Sequence, residues 1–265
     1  MDLCELTLAV ENIARAGGAE IKRIYLSGDY ESHTKEDDTP VTSADYAANE
    51  IICKMLAQLT PDIPIVSEEL PDITTEQRQS WNRYWLVDPL DGTQEFVAGS
   101  GDFAVAIALI DNNLPTIGVI YAPIHNRCYL ASRGNGAYRR DDHGLKPIKI
   151  NTDQQTKLKI AVSLRQSKET VLSRVSTEFE YELIPMGSAT LKSCLVAEGG
   201  ADFYMRVGPT GEWDTGAAHC ILTEAGGDIK DLGLQTLTYN KRETLENPNF
   251  IVCGDPNIPW SNIVN

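Results

Sequence analysis

The sequence predicts a layered α/β protein, and three observations carry that prediction. The first 60 residues hold two helical patterns, a run of short β-rich segments follows, and from residue 158 strands alternate with helices. With 265 residues, the chain has room for one large domain or two compact halves. Its composition, 42% hydrophobic and 23% charged, is that of an ordinary globular protein.

The elements follow in order. Leu3, Leu6, Val10, Ile13, Gly17, Ile21 and Ile24 recur every three or four residues and form one face of an amphipathic helix. The polar stretch 31–42 contains Thr39-Pro40 and predicts a loop. A second helix is expected over 43–59, with Ala48, Ile51, Ile52, Met55 and Leu59 on one side and Pro61 beyond its end. Strands are expected at 63–66, 85–87, 103–110, 116–121 and 128–132. The polar break at 141–146 divides the chain into an N-terminal α+β half, 1–140, and a C-terminal α/β half, 141–265. In the second half strands are expected at 158–163, 181–185, 201–206 and 250–253, with helices at 168–179, 190–198 and 215–225.

The formal net charge of −15 argues against a general nucleic-acid footprint. It would also repel a phosphorylated small molecule, so a phosphate site here needs local positive charge, and bound cations are the evident source. Six scattered cysteines without a Cys-x-x-Cys pair suggest reduced thiols and a cytosolic setting. The start of the chain lacks a signal-peptide pattern, and no stretch reaches the roughly 20 apolar residues that span a bilayer.

Three acidic motifs stand out: Ser67-Glu68-Glu69 after an apolar strand, Asp88-Pro89-Leu90-Asp91-Gly92-Thr93 after Trp85-Leu86-Val87, and Trp213-Asp214 at the start of an apolar helix. Carboxylates at strand ends and a helix start can converge, and several ionised carboxylates in one cleft repel unless cations neutralise them. Oxygen-only ligands favour magnesium, manganese or calcium over zinc. Pro89 fixes the backbone between two carboxylates and removes a donor, which frees the Leu90 carbonyl as a ligand. Gly92 permits a tight turn, and the amides of Gly92 and Thr93 can begin a helix against a phosphate. Singly, Asp-Gly is a turn signal, Glu68-Glu69 a solvated loop and Asp214 a helix cap; the joint pattern points to a site.

These motifs together resemble the two-part signature of the lithium-sensitive phosphatases, the inositol monophosphatase superfamily. Its 3′(2′),5′-bisphosphate nucleotidases, linked in bacteria to sulfate assimilation, are the nearest likeness. That likeness is carried by 38–45, 84–96, Cys194–Gly199 and Gly208-Pro209-Thr210 leading to Trp213-Asp214. Gly187-Ser188-Ala189-Thr190-Leu191-Lys192 departs from the nucleotidase pattern by a longer spacing.

The resemblance implies an α/β/α/β/α sandwich with a metal cleft between the halves. It implies one magnesium on Glu68, Asp88 and the Leu90 carbonyl, a second on Asp88, Asp91 and Asp214, and a third, weaker one near Asp37 and Glu68. Manganese is expected to substitute, and calcium and lithium to inhibit. Asp37 and Thr93 would activate the attacking water, with Asp45 orienting the Thr93 hydroxyl; Asp45 also completes a Thr42-x-x-Asp45 capping box. Glu68, Leu90, Asp91, Gly92, Thr93 and Asp214 would face the scissile phosphate, and Ser188, Lys192 and Arg206 the rest of the nucleotide. His125 and His219 lack metal-like spacing and read as structural.

The expected reaction is direct hydrolysis of the 3′-phosphate of adenosine 3′,5′-bisphosphate by a metal-activated water, with no phosphoenzyme. The second phosphate needs a cradle of its own, for which Lys192 and Arg206 are the candidates. The same metal motifs would serve an inositol-1-phosphatase or a sugar bisphosphatase. A non-catalytic metal- or phosphate-binding regulator would be expected to lack a ligand, and none of Glu68, Asp88, Asp91, Thr93 and Asp214 is missing. The partner is then a small phosphomonoester, the protein a monomer or homodimer, and its location cytoplasmic, with peripheral contact at the inner membrane as in some relatives.

Overall fold

The structure is a computed structural model that describes residues 1–34, 40–71, 73–153, 156–165 and 167–264. Helices α1 (Leu3–Ser27) and α2 (Ser43–Leu59) lie where the apolar spacing places them. Each begins with a capping box, Asp2 with Glu5 and Thr42 with Asp45, which satisfies the first free amides. The stretch expected as a loop contains a short antiparallel pair, β1 (Ser32–Thr34) and β2 (Pro40–Thr42). No hydrophobic alternation marks β1, whose three residues are all exposed.

The chain then builds one sheet from β3 (Ile65–Ser67), β4 (Arg83–Asp91), β5 (Ala104–Asp111), β6 (Leu114–Ala122), β7 (Arg127–Ser132), β8 (Ala137–Asp141) and β9 (Gly144–Pro147), in that spatial order. Only β3 and β4 run parallel. Two short helices flank β4: α3 (Thr75–Gln79) and α4 (Thr93–Val97). The polar break at 141–146 is the β8–β9 hairpin, and the chain leaves this sheet only after Pro147. The boundary expected at 140/141 therefore falls inside a paired ribbon, because turn residues within a hairpin resemble those of a linker.

The second sheet has the order β11-β10-β12-β14-β13, made from β10 (Leu158–Ser163), β11 (Tyr181–Met186), β12 (Phe203–Arg206), β13 (Asp228–Asp231) and β14 (Phe250–Cys253). Helix α5 (Lys168–Leu172) stops far short of the expected residue 179, while α6 (Ala189–Ala197) and α7 (Trp213–Ala225) match closely. Helix α8 (Trp260–Ile263) closes the chain.

Strand alternation sorts these elements into five layers. Trp85, Val87, Val105, Ile107 and Leu109 face α1 and α2 on one side of the first sheet. Leu86, Ala106, Ala108 and Ile120 face the other way, against α6 and α7 and the inner face of the second sheet, including Tyr204 and Val252. Phe203, Ile251 and Cys253 bury the outer face under α5 and α8. This is the expected α/β/α/β/α sandwich. Helix α7 seats against Gly118, where an added Cβ would lie 2.2 Å from the Ala217 carbonyl oxygen.

Candidate active site

Parallel pairing of β3 with β4 carries Glu68 and Asp88 to the same sheet end; the Glu68 amide donates to the Val87 carbonyl at 3.2 Å. Strand β4 runs on through Pro89, but its register against β5 shifts between Asp88 and Asp91. That bulge re-aims the strand where a proline removes one ladder donor. Gly92 then turns the chain with φ +97°, and α4 begins at Thr93.

From the middle layer, α7 brings Asp214 in its first turn, with the Gly211 amide donating to its carboxylate at 2.6 Å. Ligand oxygens of Asp88, Asp91 and Asp214 lie within 4.8 Å of one another. Asp88 is 1% exposed; its Oδ1 accepts from the Leu90 amide at 3.0 Å, and its Oδ2 is buried with no hydrogen-bond partner among the described residues. Burial, reinforced by the charges of Glu68, Asp91 and Asp214, drives the Asp88 carboxyl well above its ordinary range. Burial likewise raises Asp214, with Asp91 and Glu68 adding to it. A buried, orphaned carboxylate oxygen among like charges is what a hard cation would satisfy, so the donor set fits magnesium or a similar ion.

Asp91 has a different environment. Its Oδ2 accepts from the Ser188 hydroxyl and from the amide and hydroxyl of Thr190, at 2.8 and 2.5 Å, while its Oδ1 accepts from the Ala189 amide at 3.3 Å. Ser188 holds φ +54°, unusual for a side-chain-bearing residue and of the kind that costs about 1–3 kcal/mol. Ser188 also caps α6, accepting from the Leu191 amide at 3.1 Å.

Asp45 serves two elements at once. Its Oδ2 accepts from the Thr42 amide and hydroxyl at 2.8 and 2.6 Å, and its Oδ1 accepts the Thr93 hydroxyl at 2.9 Å. The Thr93 hydroxyl also lies 3.3 Å from the Leu90 carbonyl oxygen. With its proton held inward, Thr93 Oγ1 is left with lone pairs able to accept from a water.

Asp37 lies outside the described residues. Lys192 is 3% exposed; its ammonium donates to the Ser188 carbonyl at 2.6 Å and sits 5.0 Å over the Tyr204 ring. Burial lowers its pKa to about 8, against the raising effect of Asp91. It therefore holds the Ser188 turn from behind rather than standing open to solvent. Arg206 donates to the Pro209 carbonyl at 3.0 Å, and its Nε is buried without a hydrogen-bond partner among the described residues. His125 contacts Asp102 at 3.1 Å, and His219 lies 3.0 Å from both Tyr239 and Asp228, away from the cluster. All six cysteines are free.

Sequence reasoning did not single out Thr190, the donor of two hydrogen bonds to Asp91, although it lies inside the irregular 187–192 stretch. Glu95 was also missed: it is 5% exposed and ion-paired with Arg165 at 2.8 Å. The available signal was the place of Gln94-Glu95-Phe96 directly after the motif.

Five layers with a carboxylate cluster that could hold a cation between the two sheets fit the class of metal-assisted phosphomonoesterases. The model of the inositol monophosphatase family matches residues 2–255. Over 255 residues the chain is 43% identical to the 3′(2′),5′-bisphosphate nucleotidase CysQ of Aggregatibacter actinomycetemcomitans, covering 96% of this chain and 94% of the relative. It is 41% identical over 241 residues to the CysQ of Escherichia coli K12, covering 91% and 96%. Among solved structures, CysQ from Bacteroides thetaiotaomicron superposes with a TM-score of 0.83 at 34% identity, covering 96% of this chain and 98% of that one. The chain belongs to the inositol monophosphatase family.

Proposed function

We propose that this protein hydrolyses the 3′-phosphate of adenosine 3′,5′-bisphosphate to AMP and phosphate, with magnesium as cofactor. The observation that carries the metal-assisted chemistry is the trio Asp88, Asp91 and Asp214, the first two buried, with its orphaned Asp88 oxygen. The substrate is supported by the nucleotidase relatives at 41–43% identity over nine-tenths or more of the chain.

Asp88, Asp91 and Asp214, with Glu68 and the Leu90 carbonyl beside them, would hold the ions. When bound, magnesium supplies a Lewis acid that neutralises the phosphate and acidifies a water. Asp45 fixes the Thr93 hydroxyl so that its oxygen would accept a hydrogen bond from that water and aim it, and a proton taken by Thr93 Oγ1 would be balanced by its own proton passing to Asp45 Oδ1. Ser188 and Thr190 hold the Asp91 carboxylate in place. Asp37 would share the proton-accepting role. Arg206 faces the nucleotide. Calcium and lithium would inhibit, and sulfate assimilation in the cytoplasm is the setting the relatives' reaction fits. No helix among the described residues is long and apolar enough to cross a membrane.

The test is phosphate release from adenosine 3′,5′-bisphosphate and inositol 1-phosphate, side by side, with and without magnesium. The nucleotide is expected to win by about two orders of magnitude in kcat/KM, roughly 3 kcal/mol of transition-state discrimination. Preference for inositol 1-phosphate would leave the metal chemistry standing and remove the substrate.

A further inference from the structure

A nucleoside bisphosphate presents a second phosphate within one nucleotide's span of the scissile one, and that group needs a solvent-accessible cation. The Lys192 ammonium does not meet the requirement, because it is buried against the carbonyls of Ser188 and Gly187. Strand β10 lies between β11, which leads into the Ser188 turn, and β12, which ends at Arg206. Arg165 stands two residues beyond the end of β10, at the same sheet end as both.

The Arg165 amide donates to the Ser163 hydroxyl at 3.1 Å, which fixes the turn that presents the side chain. One edge of the guanidinium is tied to α4: Nε donates to Glu95 Oε1 at 2.8 Å, and Nη2 to the Gln94 carbonyl at 3.2 Å. Glu95 is itself wedged against the Ser188 turn, since a Cβ added to Gly187 would lie 2.7 Å from its Cγ. A nearly buried carboxylate thus sets the direction of a guanidinium whose side chain remains 44% exposed. The group is bonded to the two residues that follow Thr93, and Glu95 packs against the loop that binds Asp91. A guanidinium offers five donors in a rigid fork, and an anchored edge leaves the opposite edge organised for a phosphate. In a chain of net charge −15, a pre-oriented cation at this place is a specific feature rather than part of a basic surface.

We infer that Arg165, aimed by Glu95, is a specificity-determining residue that binds the non-scissile phosphate of the substrate. This rests on the bisphosphate reading above. The test compares kcat/KM for adenosine 3′,5′-bisphosphate with that for adenosine 3′-monophosphate, using the full-length magnesium-loaded enzyme. In wild type the bisphosphate is preferred. Arg165→Ala is expected to reduce that preference about 10- to 100-fold, through KM rather than kcat, the size expected for a lost charge-assisted pair. Arg165→Lys, which keeps the charge but not the fork, should fall between the two. Glu95→Gln should reduce the preference by a smaller factor. If Arg165→Ala is poorly folded, the lysine and glutamine variants carry the test. Equal losses on both substrates, with the preference unchanged, would show that Arg165 only neutralises Glu95 and would overturn the inference while leaving the nucleotidase reading intact. A wild-type enzyme indifferent to the second phosphate would overturn both.

Discussion

Glu212 and Asp214 stand two residues apart at the start of α7, the first fully and the second partly buried, yet they belong to opposite kinds of site. Glu212 is matched by the protein itself. It accepts the Asn240 amide at 2.8 Å and the Arg242 guanidinium at 2.7 Å, while Arg78 reaches Asn240 at 2.7 Å and the carbonyls of Arg242 and Glu243 behind it. Asp214 shares its space with Asp88 and Asp91, and among the described residues no arginine or lysine is hydrogen-bonded to any of the three. Burial raises both groups, Glu212 to about 7 even though Asn240 and Arg242 hold it down. The comparison teaches that a buried carboxylate with a cation of its own is part of the framework. A buried carboxylate cluster without one is built for an ion from outside.

The largest expected effect separates the two sites by activity. Asp88→Asn should lower kcat with magnesium by at least about 1,000-fold, since electrostatic stabilisation of the transferring phosphoryl group is the main catalytic resource. Glu212→Gln should leave kcat within about tenfold, measured well below its melting temperature. Comparable losses would erase the distinction.

Stability should then move in opposite directions. In metal-free protein, Asp88→Asn removes one of several crowded charges and should raise stability by about 1 kcal/mol. Glu212→Gln strips Arg242 and the Asn240 amide of a charged acceptor and should lower it by about 1–3 kcal/mol. Thermal unfolding in a chelator reads both, and two changes of the same sign would sink the contrast.

The smallest effect sharpens it through pH. A carboxyl whose folded pKa is raised binds more protons folded than unfolded, so its contribution is full below the unfolded pKa and is lost as pH rises through the folded one. For Glu212 that window runs from 4.5 to about 7. Asp88 and Asp214 act in the same direction, beginning from 3.8. Metal-free protein should therefore lose stability as pH rises through this range, and Asp88→Asn should flatten the slope. Saturating magnesium should reverse the cluster's share, because binding displaces its protons, while the Glu212 share persists. A slope indifferent to magnesium would mean the cluster does not take up the ion.

Much of this was legible before any coordinates. Apolar spacing alone marks α1, α2, β10 and β14, since each buries a face or a continuous apolar run. The Asp88–Thr93 motif and Asp214 could be named because their residue types are chemically unusual beside apolar strands. What stayed hidden depends on contacts between distant segments. Strand β13 is polar at three of four positions and is held by β14. Thr190 matters only because the fold brings Asp91 to it, and Arg165 only because Glu95 is buried. Lys192 shows the converse: its charge was readable, and its inward direction was not.

The ring of donors around Asp91 also bears on how the chain assembles. The amides of Ala189 and Thr190 are the first free amides of α6, and a carboxylate from β4 accepts both. Helix α6 thus takes part of its cap from a strand made far earlier in the chain. During synthesis from the N-terminus, β4 is laid down before α6 emerges. The second half therefore completes this helix against a receptor that the first half has already put in place. The carboxylate proposed as a metal ligand is thus also the point where α6 docks on the first half.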